Sequence, residues 1–168
     1  MMNVMMDYYS KGKYQAAIPV CQRALEIRKE QLGDRHLSTA LSLNNLAELY
    51  RSMGRYESAE PLCLESLEIH KEKMGDRHPS TATSLFNLAA LYHNTNQNQK
   101  ALPLIQGALQ IYLPTLGIEH PETQAANRCL RIIERGIENI ELRAENGEFK
   151  SGFLHSIFSI LHSITDRL

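Results

Sequence analysis

The sequence predicts an all-α fold, an α-α superhelix of antiparallel helix pairs with a C-terminal capping helix, on three observations. Residues recur every 42 positions, each recurrence holds two stretches with apolar side chains at helical spacing, and a glycine turn separates those stretches. Gly33, Gly75 and Gly117 align at this step, as do His36, His78 and His120, then Thr39, Thr81 and Thr123, and Leu46, Leu88 and Leu130. Pro19, Pro61 and Pro103 keep the same spacing, and so do Leu25, Leu67 and Leu109. A two-helix unit buries little alone, so such units stack.

Taken in order, residues 1–32 form a partial repeat. Asn3 falls one period before Asn45 and Tyr8 before Tyr50, so the chain enters inside a first helix. Apolar surface at Met2, Val4, Met5 and Met6 then predicts a cover: a dimer, a swapped helix or an upstream domain. The full repeat 38–74 carries Leu43, Leu46, Ala47, Leu49 and Tyr50 on its first helix. Its second helix carries Tyr56, Ala59, Leu62, Cys63, Leu67 and Ile69. Gly54 suits the left-handed turn between the two helices, and Gly75 ends the second. Pro61 removes a hydrogen bond inside that helix, and its recurrence predicts a small kink in every unit.

The full repeat 80–116 copies this plan, with Ser80 expected as N-cap behind Pro79. In the partial repeat 122–145, Glu134 stands where Tyr92 stood, and the pattern runs on as one longer helix. Residues 1–145 thus form the repeat domain, and 146–168 read as a linker and an amphipathic helix. The stripe Phe153, Leu154, Ile157, Phe158, Leu161, Ile164 and Leu168 suits a cap, or pairing with a second subunit as a homodimer. Its polar face shows mainly Ser and His in place of Lys and Arg, which argues against a membrane surface.

The whole chain, 168 residues with 43% hydrophobic and 22% charged side chains, has the composition of one soluble globular domain. A net charge of -1 leaves no electrostatic footprint for nucleic acid. The start lacks a basic leader, and "FLHSIFSILHSI" is too short to span a bilayer. Cys21, Cys63 and Cys129 form no CxxC pair, which suits a reducing compartment, so a cytoplasmic location is expected.

The triplets around His36, His78 and His120 resemble site chemistry but read as connectors between units. Equivalent points in stacked helices lie at least about 8 to 10 Å apart, whereas two zinc-bound nitrogens sit within roughly 4 Å. Glu65, Glu68 and Lys71 to Lys73 read as a solvated helix face with spaced ion pairs. No Gly-rich phosphate loop or nucleophile elbow occurs. A non-catalytic protein without cofactor or metal is expected.

The unit "LNNLAELYRSMGRYESAEPLCLESLEIHKEKMGDRHPST" resembles the tetratricopeptide repeat in its long, kinesin-light-chain-like form. Leu46, Ala47 and Tyr50 match its first-helix packing positions, Gly54 and Tyr56 its turn, and Ala59 and Ser66 its close-approach positions. The resemblance implies a scaffold that binds a peptide or partner segment in a concave groove lined by first helices. By that resemblance Leu41, Asn44, Asn45, Glu48, Arg51 and Ser52 face the groove, followed by Thr83, Phe86, Asn87, Ala90, His93 and Asn94. Ala125, Arg128, Ile132 and Arg135 continue the row, and Asn3, Met6 and Tyr9 begin it. An asparagine amide both donates and accepts, so Asn45 and Asn87 are expected to hold a ligand backbone. Arg51, Arg128 and His93 would favour an acidic ligand, and Phe86 an apolar contact. Hydrogen bonding between adjacent helices is the alternative role for the two amides. The alternative function is an assembly or regulatory module whose apolar ends, around Met5 and Phe158, make homo-oligomers or dock a neighbouring effector domain.

Overall fold

The computed structural model describes residues 14–145, which contain six helices and no strand. α1 spans Tyr14–Leu32, α2 Leu37–Ser52, α3 Tyr56–Met74, α4 Pro79–Asn94, α5 Asn98–Leu116 and α6 Pro121–Glu145. Each helix packs on the next, and first helices of successive units also touch directly, α2 on α4 and α4 on α6. This is the side-by-side stack that the 42-residue period predicts. The expected capping helix and the apolar residues around Met5 lie outside the described residues.

Small side chains set how closely the helices approach. Ala40, Ala59, Ser66, Ala82, Ala89, Ala101 and Ala108 have no exposed surface. Leu43, Leu49, Ile69, Leu91, Ile105 and Ile133 fill the layers between them. Tyr50, Leu62, Leu85 and Tyr92 each border more than one core cluster, so the core is continuous along the stack. Cys21 and Cys63 belong to this core as small hydrophobes.

The turns follow from backbone sterics. Gly54 takes φ 71 between α2 and α3, and one period later Asn96 takes φ 59 between α4 and α5. Glycine and asparagine tolerate this left-handed region; the third position in the series is Glu138, which does not, and α6 continues through it. The second helices end at Gly33, Gly75 and Gly117, with φ 93, 87 and 83. Each donates its N–H to the carbonyl four residues back, at 3.0, 3.0 and 3.2 Å.

The next helix starts two residues earlier than an N-cap at Ser80 would place it. Pro79 is its first residue, and His78 is the cap: its Nδ1 accepts the Ser80 N–H at 3.1 Å. His36 does the same for Ser38 at 3.0 Å, and His120 for Glu122 at 3.3 Å. An imidazole Nδ1 lies as many bonds from the backbone as an asparagine side-chain oxygen, so it can fill the same capping role. The recurring histidines thus begin helices. Thr39 and Thr81 complete the loop, their hydroxyls donating to the carbonyls of Gly33 and Gly75 at 2.8 Å. Thr123 is equally buried, yet its hydroxyl has no partner among the described residues.

A polar seam joins each of the first two second helices to the first helix that follows. Arg28 Nη1 donates to Ser42 Oγ, and one period on His70 Nδ1 meets Ser84 Oγ at 2.9 Å. Ser84 Oγ also accepts from Asn44 Nδ2 at 3.1 Å, while Ser66 Oγ donates to the Ala40 carbonyl at 2.9 Å. A neutral His70 with its hydrogen on Nε2 satisfies this network, because Ser84 can then donate to Nδ1. Burial holds the His70 pKa below its ordinary 6.5, helped by the nearby His78 and opposed by a hydrogen bond from the ring to the Ser66 backbone carbonyl.

Two outcomes follow from these contacts. Thr39→Val and Thr81→Val should each lower the unfolding free energy by about 1 kcal/mol in urea titrations, whereas Thr123→Val, which deletes an unpaired buried hydroxyl, should not lower it. His70 resists protonation in the folded chain but not in the unfolded one, so its contribution is complete above pH 6.5 and is lost as pH falls through its lowered folded pKa. The denaturation midpoint should therefore drop between pH 7.5 and 5.5, and His70→Gln should flatten that drop.

Candidate interaction groove on the first helices

The predicted groove residues project from α2, α4 and α6, the three helices in direct contact along the stack. Asn45 on α2 and Asn87 on α4 are half-buried, and neither side chain makes a hydrogen bond among the described residues. Leu41, one turn before Asn45, is 51% exposed, and so is Ile132 on α6. Ala90 is half-buried. Phe86 leans partly into the core around Ile105.

Asn44 is differently placed. It is 6% exposed, and its Nδ2 is held by Ser84, while its Oδ1 has no partner among the described residues. Consecutive helical residues diverge by about 100° around the axis, which sends Asn44 into the seam and leaves Asn45 beside it at the surface.

Of the four basic residues predicted in the groove, two are tied to neighbours. Arg51 grips Glu48 through two hydrogen bonds of 2.8 and 2.6 Å, and the carboxylate holds the guanidinium pKa above its usual range. Ser52 adds a long hydroxyl contact of 3.4 Å to the same Glu48 oxygen. With the Asn94 amide oriented to satisfy both its atoms, its oxygen accepts from Arg51 Nη1 at 3.1 Å. His93 Nδ1 meets Asn98 Oδ1 at 2.8 Å, and Asn98 in turn lies over Gly136, where a larger residue would collide with its amide. Arg128 and Arg135 on α6 are exposed and form no ion pair among the described residues. Thr83 accepts from the Tyr112 hydroxyl at 2.9 Å. Asn3, Met6 and Tyr9 lie outside the described residues.

None of the three cysteines forms a disulfide, and burial pushes the Cys63 thiol up to about 12, with Glu48 and Glu60 adding and Arg51 opposing. Such a thiol stays protonated and unreactive at neutral pH. Among the described residues no group of three His, Cys, Asp or Glu is placed to hold a metal ion, and no helix is long and apolar enough to cross a membrane.

The larger depressions lie off this row. One of about 650 Å³ runs along α1 beside Ser38, and one of about 630 Å³ lies between α3 and α5. Lys71 and Arg77, which line the latter, are outside the set that the sequence pattern picks out.

The sequence profile of the tetratricopeptide repeat matches residues 1–62 and 40–113. No curated protein matches the chain. Among solved structures it is similar to the nearly identical TPR-like repeats of a Podosopora anserina protein assigned to the kinesin light chains, with 25% identity and a TM-score of 0.75. That match covers 85% of this chain and 68% of the other, and a single-substitution variant of the same protein matches equally. BtubC (BKLC) from P. vanneervenii shares the fold at 21% identity and a TM-score of 0.64, over 88% of this chain and 63% of its own.

Proposed function

The chain belongs to the tetratricopeptide repeat family, a scaffold fold for protein–protein interaction, and on that premise we propose that it captures an extended partner segment along α2, α4 and α6. The observation that carries this reading is the pair of unpartnered amides, Asn45 and Asn87, one period apart on adjoining first helices. Each can donate to one backbone carbonyl and accept from one backbone N–H of the ligand. Leu41, Phe86 and Ile132 supply apolar contacts beside them, and Arg128 supplies the available positive charge.

Asn44, Glu48, Arg51 and His93 serve the groove from behind. Asn44 fixes the spacing of α2 and α4 through Ser84. Arg51 and Glu48 present a neutral pair to the ligand, and an acidic side chain gains from Arg51 only by competing with Glu48. Preference for acidic ligands therefore falls chiefly to Arg128. The lack of disulfides fits a reducing compartment, and the cytoplasm is where we place this capture.

Affinity for a panel of extended acidic peptides tests the reading. Asn45→Ala with Asn87→Ala should weaken binding by about tenfold, since each amide hydrogen bond is worth roughly 0.5 to 1.5 kcal/mol. Equal affinities for wild type and a folded double variant would contradict it.

A further inference from the structure

The repeat supplies an internal reference for the depression between α3 and α5. At the preceding junction, between α1 and α3, the same register is closed by ion pairs. Lys29 Nζ meets Glu65 at 2.9 Å, and Arg35 meets Glu72 at 2.6 Å and Glu68 at 3.3 Å. One period later the cations remain, as Lys71 and Arg77. Their acidic partners do not: Gly107 replaces Glu65, Gln110 replaces Glu68 and Pro114 replaces Glu72.

The result is a cavity of about 630 Å³ with Lys71 and Arg77 on its rim. Leu85, Ile111 and Pro114 give it apolar walls. Lys71 keeps only Asp76, at 3.6 Å, and Arg77 makes no ion pair among the described residues. Leu43, the counterpart of Leu85, is fully covered at the closed junction, whereas Leu85 is only partly covered at the open one. The charge balance also reverses. Three cations face four carboxylates at the first junction, counting Asp34 and Lys73, and two cations face Asp76 alone at the second.

We infer that this cavity is a second docking site, which takes glutamate side chains of an acidic partner segment in place of the missing Glu65, Glu68 and Glu72 equivalents. A glutamate matches the site in both parts. Its carboxylate meets Lys71 and Arg77 as Glu65 and Glu72 meet Lys29 and Arg35, and its aliphatic stem lies against Leu85, Ile111 and Pro114. The site is on the second-helix side and uses none of the residues assigned to the groove.

Gly107 allows a direct test. A Cβ there would meet only Leu85 Cδ1, at 3.6 Å, which is ordinary contact, so Gly107→Glu restores the carboxylate of the closed junction without a clash. Replacing a mid-helix glycine also favours folding. The probe is fluorescein-labelled hexaglutamate, followed by anisotropy at low ionic strength, with hexaglutamine as control. Wild type should bind hexaglutamate and not hexaglutamine. Lys71→Ala with Arg77→Ala, and separately Gly107→Glu, should each weaken binding by about tenfold. In the Asn45→Ala/Asn87→Ala background the loss caused by Lys71→Ala with Arg77→Ala should be the same within about twofold, because distant sites act independently. Unchanged binding in both Lys71→Ala/Arg77→Ala and Gly107→Glu would overturn the inference, as would equal binding of the two peptides. Inorganic phosphate binding more tightly than hexaglutamate would overturn the peptide assignment.

Discussion

The structure depends on the junction at which the second helix of one unit meets the first helix of the next. Apolar packing alone would tolerate sliding there, because alanines and leucines accept many neighbours. The buried hydrogen bonds do not. His70 and Asn44 both converge on Ser84, while Ser66 holds the Ala40 carbonyl. A slip along either helix leaves several buried polar groups without partners, each at a cost of about 1 to 3 kcal/mol. This seam keeps α2 and α4 in one register and so places Asn45 and Asn87 in one row.

Because the units share a template, their differences are informative. A residue that keeps its role through the period serves the stack: Gly75 ends a helix, His78 begins one and Thr81 clasps the loop. A residue that changes while its neighbours stay constant marks a place where the template has been put to another use. The replacement of Glu65, Glu68 and Glu72 by Gly107, Gln110 and Pro114 is such a change, and it turns a closed electrostatic junction into an open cationic cavity. The Gly54, Asn96, Glu138 series is another, since it converts the last helical pair into the single long α6.

Much of this was legible in the residues themselves. The period, the helix pairs and the glycine turns follow from spacing and backbone sterics, which act locally. What depends on side-chain direction was less so. Asn44 and Asn45 are adjacent and chemically identical, and only the rotation of α2 against α4 decides which enters the seam. The pairing of Arg51 with Glu48 could be suspected from their spacing of three on a helix, whereas His93 with Asn98 spans a turn whose geometry the sequence leaves open. The capping role of His78 was hidden because serine is the commoner cap and stood two residues away. Glu65 and Glu68 looked like a solvated face with pairs along one helix, yet their partners Lys29 and Arg35 come from the neighbouring unit. Comparing that face with its copy one period later was the available signal for the cavity.

The seam can be tested by a double-mutant cycle on Asn44→Ala and Ser84→Ala, measured as unfolding free energy. If their hydrogen bond fixes the register of the first helices, the two substitutions should couple by about 1 kcal/mol or more, the double variant losing less than the two single losses combined. Strictly additive losses would mean that the residues act separately, and that apolar packing by itself aligns the row on which the groove depends.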